Sequence, residues 1–294
     1  MKTFTRFSLT AIFICVSIHF SMAQSDKIFR TRVVGQGQPM MLIHGMSCSD
    51  EVWEDVLKNY QDRYEIHLVS LAGFGNKDAV EASHFLEAVK DDLIAYTRKN
   101  ELKNTVLMGH SMGGFLSYWA AADAPDLFSQ VISVDGLPYF PAMQGLTVET
   151  AQTMVENMQK NMENMDAKAF EAFQRQIVAS MISAEEKREK VVAMGLASNQ
   201  QMIGQAFTEM YITDLREKVA EIRVPVLVLS SWYGYRNFGV TKEMTQKGVE
   251  AQVANIPHAR VEVAEKALHF IFYDEPEWFF TQVDGFLQEK IGSR

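Results

Sequence analysis

The chain has 294 residues, of which 47% are hydrophobic, and its 28 Lys and Arg against 37 Asp and Glu give a formal net charge of −9. An acidic surface repels phosphate backbones and anionic lipid headgroups, and no basic cluster interleaved with aromatic residues reverses the sign locally. Nucleic-acid binding is therefore disfavoured. A chain of this length and composition can bury one large core, or a core with a small lid.

The first 23 residues have the composition of a secretory signal peptide. Lys2 and Arg6 precede an apolar stretch at 7–20, and small residues follow it at the cleavage positions. The stretch is shorter than the roughly 20 residues of a membrane-spanning helix. The bulky Ile14 before Cys15 argues against lipid attachment at that cysteine. We expect an exported protein, periplasmic or secreted, with no stable membrane anchor after cleavage.

Beyond residue 23, short runs rich in Val, Ile and Leu alternate with longer amphipathic stretches. This alternation is typical of an α/β protein with a mostly parallel sheet and crossover helices. The predicted strands are residues 28–34, 40–43, 65–70, 105–108, 130–134, 224–229 and 261–264. The predicted helices are residues 50–59, 85–100, 112–122 and 276–291.

The alternation stops between Leu137 and Ile222, where the sequence is helical throughout and rich in methionine. Because methionine is flexible and polarizable, such a segment can line an adaptable apolar pocket, although most of its methionines are expected to hold the helices together. We therefore predict a core at 24–137 and 223–294, with a helical cap inserted at 138–222. Pro138 and Pro225 bracket the insert, since proline disfavours helix in the preceding residue.

Gly109-His110-Ser111-Met112-Gly113 lies between an apolar strand and a helical pattern. It matches the G-x-S-x-G elbow, in which a sharp turn presents a serine hydroxyl as nucleophile. The residues two positions either side of the serine must be small because their backbones crowd each other, and glycine meets that need. The placement after a strand, more than the five letters themselves, favours Ser111 as a nucleophile over a flexible glycine turn.

An acyl-transfer serine needs two oxyanion donors and a base. The backbone N–H of Met112 at the start of the next helix offers one donor, and the N–H of Met46 after the second predicted strand offers the other. His44, near this oxyanion hole, is better explained as a structural histidine. His269 follows the last predicted strand, where the chain order Ser, acid, His places the base.

The acid is the least obvious member of the triad. After the strand at 224–229 the chain has no carboxylate until Glu243. One strand earlier, Asp135 follows the apolar run at 131–134, at the carboxyl edge of the expected sheet and within reach of His269. We therefore predict Asp135 as the acid, with a turn-capping role as the alternative. Asn237 or a tyrosine could orient the base instead.

Taken together, these residues resemble the α/β-hydrolase superfamily, in particular its esterase-like branch. The resemblance rests on His44-Gly45, the loop 70–75, the elbow at 109–114 and His269-Phe270. It implies an α/β-hydrolase fold, with an eight-stranded, mostly parallel sheet and a helical cap after the sixth strand. It also implies a Ser-Asp-His mechanism without a cofactor. The absence of a carboxylate directly after the penultimate predicted strand departs from the usual family pattern.

The expected activity is hydrolysis of a small, partly apolar ester, lactone or thioester through an acyl-enzyme on Ser111. A carbon–carbon bond hydrolase could use the same triad, and a non-catalytic ligand-binding protein could use the same scaffold. Serine at the elbow argues against the dehalogenases and epoxide hydrolases of this fold, which rely on a carboxylate nucleophile. No pair of His, Cys or carboxylate residues in the sequence has a recognisable metal-ligand spacing. Gly35-Gln36-Gly37 precedes a strand, whereas a dinucleotide-binding glycine motif lies at a turn from a strand to a helix.

Overall fold

The structure is a computed structural model that describes residues 28–288. The predicted signal peptide, residues 1–23, lies outside the described residues, as does the end of the predicted C-terminal helix beyond residue 288. Within the described part of the chain, no helix is both long and apolar enough to cross a bilayer.

A seven-stranded sheet forms the centre of the described residues, with strand order β1-β3-β2-β4-β5-β6-β7. Only β1 runs antiparallel, pairing with β3 along its whole length, while the other neighbours are parallel. The strands are β1 Phe29–Gly35, β2 Gln38–Ile43, β3 Tyr64–Leu71, β4 Thr105–His110, β5 Phe128–Val134, β6 Val226–Ser230 and β7 Ala259–Val263.

The α/β-hydrolase fold is confirmed, but the strand count of eight, which came from the resemblance, differs from the seven strands described. The seven apolar runs of the sequence each correspond to one of these strands. Among residues 28–288, β1 forms one edge of the sheet and is its one antiparallel strand.

Ten α-helices surround the sheet or follow its strands in the described residues. They are α1 Glu54–Tyr60, α2 Phe85–Lys99, α3 Met112–Asp123, α4 Val148–Glu163, α5 Ala167–Met181, α6 Glu185–Leu196, α7 Gln200–Ile212, α8 Lys242–Val253, α9 Ile271–Asp274 and α10 Pro276–Gln288. Short 3₁₀ helices add turns at Asp50–Trp53, Phe140–Gln144, Lys218–Glu221 and Tyr233–Phe238.

Burial explains why the strands read as unbroken apolar runs. Every residue of β4, β5 and β6 is buried, as expected for strands with helices on both faces. Side chains of α2, α3 and α8 fill the core on one face, and those of α1 and α10 fill the core on the other. The sheet is thereby a rigid platform whose parallel strands present their carboxyl ends at one edge.

Helices α4 to α7 all lie between β5 and β6 in the chain, and α4 packs extensively along α7. Glu209 of α7 attaches this segment to the rest of the molecule, because its two carboxylate oxygens accept hydrogen bonds from the N–H groups of Phe85 and Leu86 at 2.9 and 2.7 Å. A carboxylate here satisfies free donors at the N-terminus of α2 and complements the helix dipole.

Candidate active site

Ser111 lies at a sharp turn between β4 and α3. Its backbone has φ 54° and ψ −116°, a conformation that a non-glycine residue adopts only under strain of about 1–3 kcal/mol. Ser111 N–H donates to the carbonyl of Val134 at 2.8 Å, which ties the turn to the end of β5. The side chain is half-buried, so the hydroxyl remains accessible at the carboxyl edge of the sheet.

The glycines of the elbow are required by close backbone contacts. A Cβ on Gly109 would lie 2.1 Å from the carbonyl carbon and oxygen of Gly113, and one on Gly113 would lie 2.1 Å from the carbonyl oxygen of Ile43. Gly45 is less tightly enclosed, since a Cβ there would lie 2.7 Å from His110 Nδ1 and 3.2 Å from the Cβ of Ser111. The loop after β2 thus passes directly beside the serine.

The structure brings Asp135 and His269 together. Asp135 Oδ2 lies 2.7 Å from His269 Nδ1, and both side chains are largely shielded, with 13% and 22% of their surfaces exposed. Asp135 follows β5 directly and itself has φ 49°, while its N–H bonds the carbonyl of Leu229 at 2.7 Å. Since a carboxylate only accepts, Nδ1 of His269 carries the proton in this pair and Nε2 is left to accept.

Two serines at the carboxyl end of β6, where the chain has no carboxylate, hold the Asp135 carboxylate. Ser231 donates its N–H to Oδ1 and its hydroxyl to Oδ2, both at 2.7 Å, and the Ser230 hydroxyl lies 3.4 Å from Oδ1. Their position at the carboxyl end of β6, the neighbour of β5 in the sheet, was the available signal. Such bonds fix the orientation of the carboxylate.

His44 is buried and neutral. Because Leu71 N–H donates to its Nε2 at 3.1 Å, its proton is on Nδ1, which donates to the Gly45 carbonyl at 2.7 Å. Burial lowers the pKa of His44 to about 4. The side chain therefore fixes the loop that carries Met46, in agreement with a structural histidine.

His110 packs behind His269. Its Nε2 lies 3.1 Å from the carbonyl oxygen of His269 and the two ring centroids are 4.6 Å apart. Burial, followed by the neighbouring His269, lowers the pKa of His110 well below its usual value. Three further histidines of the described residues belong to other parts of the fold: His67 of β3 bonds Tyr96 of α2, His84 precedes α2, and His258 precedes β7.

Neither alternative partner for the base forms a hydrogen bond to it in the described residues. Asn237 is exposed within the 3₁₀ helix at Tyr233–Phe238. Tyr235 is 47% exposed, and partial burial with the negative charge of Asp135 raises its pKa to about 12, so this phenol stays protonated at neutral pH.

The two predicted oxyanion donors come from the residue after Ser111 and from the loop after β2 that passes beside it. Met112 is the first residue of α3, and Met46 follows Gly45 in the loop that touches Ser111. Across residues 28–288, neither N–H donates a hydrogen bond and the Ser111 hydroxyl forms none, so its bond to His269 is not closed here. Catalytic hydrogen bonds often close only when substrate is bound.

The sequence profile of the alpha/beta hydrolase fold family matches residues 38–276. The chain therefore belongs to this family. It is an esterase-like hydrolase, as the relatives that follow also indicate.

The chain is 25% identical over 256 residues to a pimeloyl-[acyl-carrier protein] methyl ester esterase of Aliivibrio salmonicida, covering 86% of this chain and 94% of the relative. It is 26% identical over 263 residues to the esterase of the same name from Aliivibrio fischeri, with 87% and 95% covered.

Two solved structures share the fold at lower identity. A hydrolase from Pseudomonas aeruginosa superposes with a TM-score of 0.77 at 18% identity, covering 92% of this chain and 99% of that one. An enol-lactonase from Burkholderia xenovorans superposes with a TM-score of 0.71 at 15% identity, covering 89% and 96%.

Proposed function

We propose that the protein is a serine esterase that cleaves a small, partly apolar ester, lactone or thioester through an acyl-enzyme on Ser111. The observation that carries the proposal is the 2.7 Å contact between Asp135 and His269 at the sheet edge where the strained Ser111 lies. The names of the relatives, a methyl ester esterase and an enol-lactonase, support hydrolysis at an ester carbonyl.

Each group has a distinct role in the proposed mechanism. Ser111 Oγ attacks the substrate carbonyl while His269 Nε2 takes its proton, and Asp135 stabilises the imidazolium that forms. The N–H groups of Met46 and Met112 stabilise the oxyanion of the tetrahedral intermediate. His269 then gives the proton to the leaving group, which departs and leaves the acyl group on Ser111. In the second half-reaction water attacks the acyl carbonyl while His269 Nε2 takes its proton, and His269 returns that proton to Ser111 Oγ as the acid leaves.

Neutral His110 and His44 suit this role for His269. A second cation beside the imidazolium would oppose its formation, but burial holds the pKa of both histidines below the usual range. His110, which packs against His269, therefore adds no second positive charge beside the imidazolium.

Hydrolysis of p-nitrophenyl esters of increasing acyl length tests the proposal. We expect turnover by the wild-type protein and a loss of at least about 10⁴-fold in Ser111→Ala. Ser180→Ala, which alters an exposed serine of α5, should retain wild-type activity. Turnover that survives in Ser111→Ala would refute the assignment of the nucleophile.

Absence of turnover in every variant would instead favour one of the two remaining functions. A carbon–carbon bond hydrolase would still react with a fluorophosphonate at Ser111, because its serine is base-activated. A ligand-binding protein on this scaffold would not react. Labelling of the wild-type protein separates these two cases.

We further propose that the protein is exported through residues 1–23, on the composition of that segment alone. Cell fractionation followed by intact mass measurement checks this. The expected product begins at Gln24 and occurs outside the cytoplasm. A full-length cytoplasmic product would contradict it.

A further inference from the structure

The backbone on both sides of His269 is fixed by partners from other elements. Leu268 N–H donates to Asp274 Oδ2 at 2.8 Å, and Phe270 N–H donates to the carbonyl of Met181 at 3.2 Å. Met181 is the last residue of α5, so one of these anchors comes from the helical segment between β5 and β6. The position of the imidazole therefore depends on more than its bond to Asp135.

Asp274 connects the same helical segment to the other side of His269. Its second oxygen, Oδ1, accepts from the N–H groups of Ser183 and Ala184 at 2.8 and 3.0 Å. These residues belong to the turn 182–184, which joins α5 to α6. One half-buried carboxylate thus bridges the α5–α6 turn and the residue preceding His269.

The next residue, Glu275, provides an internal comparison. Its carboxylate accepts from Ala267 N–H at 2.6 Å and from Lys266 N–H, so it fixes the same loop as Asp274. It makes no contact with the α5–α6 turn among the described hydrogen bonds. The loop that carries His269 is thus held by two carboxylates, of which Asp274 is the one that reaches the inserted helices.

We propose that Asp274 is a positioning residue that couples the α5–α6 turn to His269, so that a displacement of these helices displaces the base. The inference rests on the proposed function, in which His269 is the base. Both oxygens of Asp274 are engaged, and a misplacement of about 1 Å in a catalytic group can cost roughly 10²-fold in rate. The inserted helices thereby set the alignment of His269 with Ser111.

Asp274→Asn tests the base side of this bridge. An amide presents one acceptor and one donor, so its NH₂ group faces either Leu268 N–H or the N–H groups of the turn, and one side of the bridge is lost. We expect kcat to fall about 10-fold or more per folded molecule, with KM within about 3-fold of wild type, and labelling of Ser111 by a fluorophosphonate to slow in parallel.

Ala184→Pro tests the helical side. Ala184 has φ −67°, which proline adopts without strain, and the substitution removes the N–H that bonds Asp274. We expect kcat and labelling to fall in parallel, by less than in Asp274→Asn because the Ser183 N–H bond to Asp274 remains, although Ala184 does not touch His269. Glu277→Gln, an exposed carboxylate in the first turn of α10, should leave both rates unchanged.

The outcomes separate this inference from the proposed function. If both variants have a lower melting temperature but kcat within 2-fold of wild type, the coupling is refuted and the bridge is only structural. If kcat falls with Asp274→Asn and not with Ala184→Pro, Asp274 holds the loop without coupling it to the helices. If the wild-type protein neither turns over esters nor reacts at Ser111, the proposed function fails instead.

Discussion

Replacing Asp135 by asparagine should inactivate the protein through the tautomer of His269. In the wild type, Oδ2 accepts from His269 Nδ1 and from the Ser231 hydroxyl, each at 2.7 Å, while Oδ1 accepts from Ser231 N–H. Because the N–H donor at Ser231 keeps the amide oxygen at the Oδ1 position, the NH₂ group of the introduced amide would face His269. Nδ1 must then accept, and Nε2 carries the proton and cannot take one from Ser111.

The size of the effect follows from the loss of the base. A wrong tautomer in an otherwise intact Ser-His-Asp site costs roughly 10⁴ in kcat, or about 5.4 kcal/mol at 1.36 kcal/mol per decade. Ser231→Ala provides the matched control because it removes one hydroxyl bond to the same carboxylate. A bond to a charged group contributes about 1.5–3 kcal/mol, so we expect a loss of roughly 10- to 150-fold.

The assay is kcat/KM for a p-nitrophenyl ester, measured beside the rate of fluorophosphonate labelling at Ser111. Both rates should fall by the same factor in Asp135→Asn, while the melting temperature changes little because the amide fits the same space. A loss of less than about 10-fold in Asp135→Asn would refute Asp135 as the residue that orients the base. A loss in Ser231→Ala as large as in Asp135→Asn would refute the tautomer argument.

Three further predictions concern the elbow, acid stability and the inserted helices. Gly109→Ala should abolish ester hydrolysis, because its Cβ would lie 2.1 Å from the Gly113 carbonyl; wild-type turnover would contradict this. The pKa of His44 is near 6.5 in the unfolded protein and about 4 in the folded protein. Lowering the pH from 6.5 to 4 should therefore reduce the free energy of unfolding by about 3 kcal/mol. Denaturant unfolding should show that His44→Gln loses less of its free energy of unfolding than the wild type over that pH range. The same pH dependence in both proteins would refute the assignment of this effect to His44. Glu209→Gln should lower the melting temperature by several degrees and leave kcat unchanged, since it weakens the bonds to α2; an unchanged melting temperature would contradict this.

Strands were easier to predict from the sequence than helices because parallel strands buried on both faces read as unbroken apolar runs. Residues 224–229 illustrate this, since β6 occupies Val226–Ser230 with every residue buried. Helix α8 at Lys242–Val253 was not predicted. It buries only four residues, including Thr245 and Gln252, and contains Gly248, so its apolar pattern is weak. The available signal was Thr241, whose side chain caps Met244 N–H.

The candidate site could be predicted where it depends on chain order and not where it depends on neighbouring strands. Asp135 and His269 each follow an apolar run that predicts a strand, which places both at the carboxyl edge of a parallel sheet. The bonds from Ser231 to Asp135 require β6 to lie beside β5, which the sequence alone does not determine. The bridge through Asp274 is harder still to predict, because Asp274 bonds Ala184 of the α5–α6 turn, 90 positions away in the chain.

The central claim is that Ser111 is a base-activated nucleophile, and covalent labelling tests it most directly. The wild-type protein is treated with a fluorophosphonate, digested, and the modified peptide is located by mass spectrometry, beside Ser111→Ala and His269→Gln. The predicted result is a single adduct on Ser111, absent in Ser111→Ala and formed at least about 10³-fold more slowly in His269→Gln. An unlabelled wild-type protein, or an adduct on another residue, would contradict the claim.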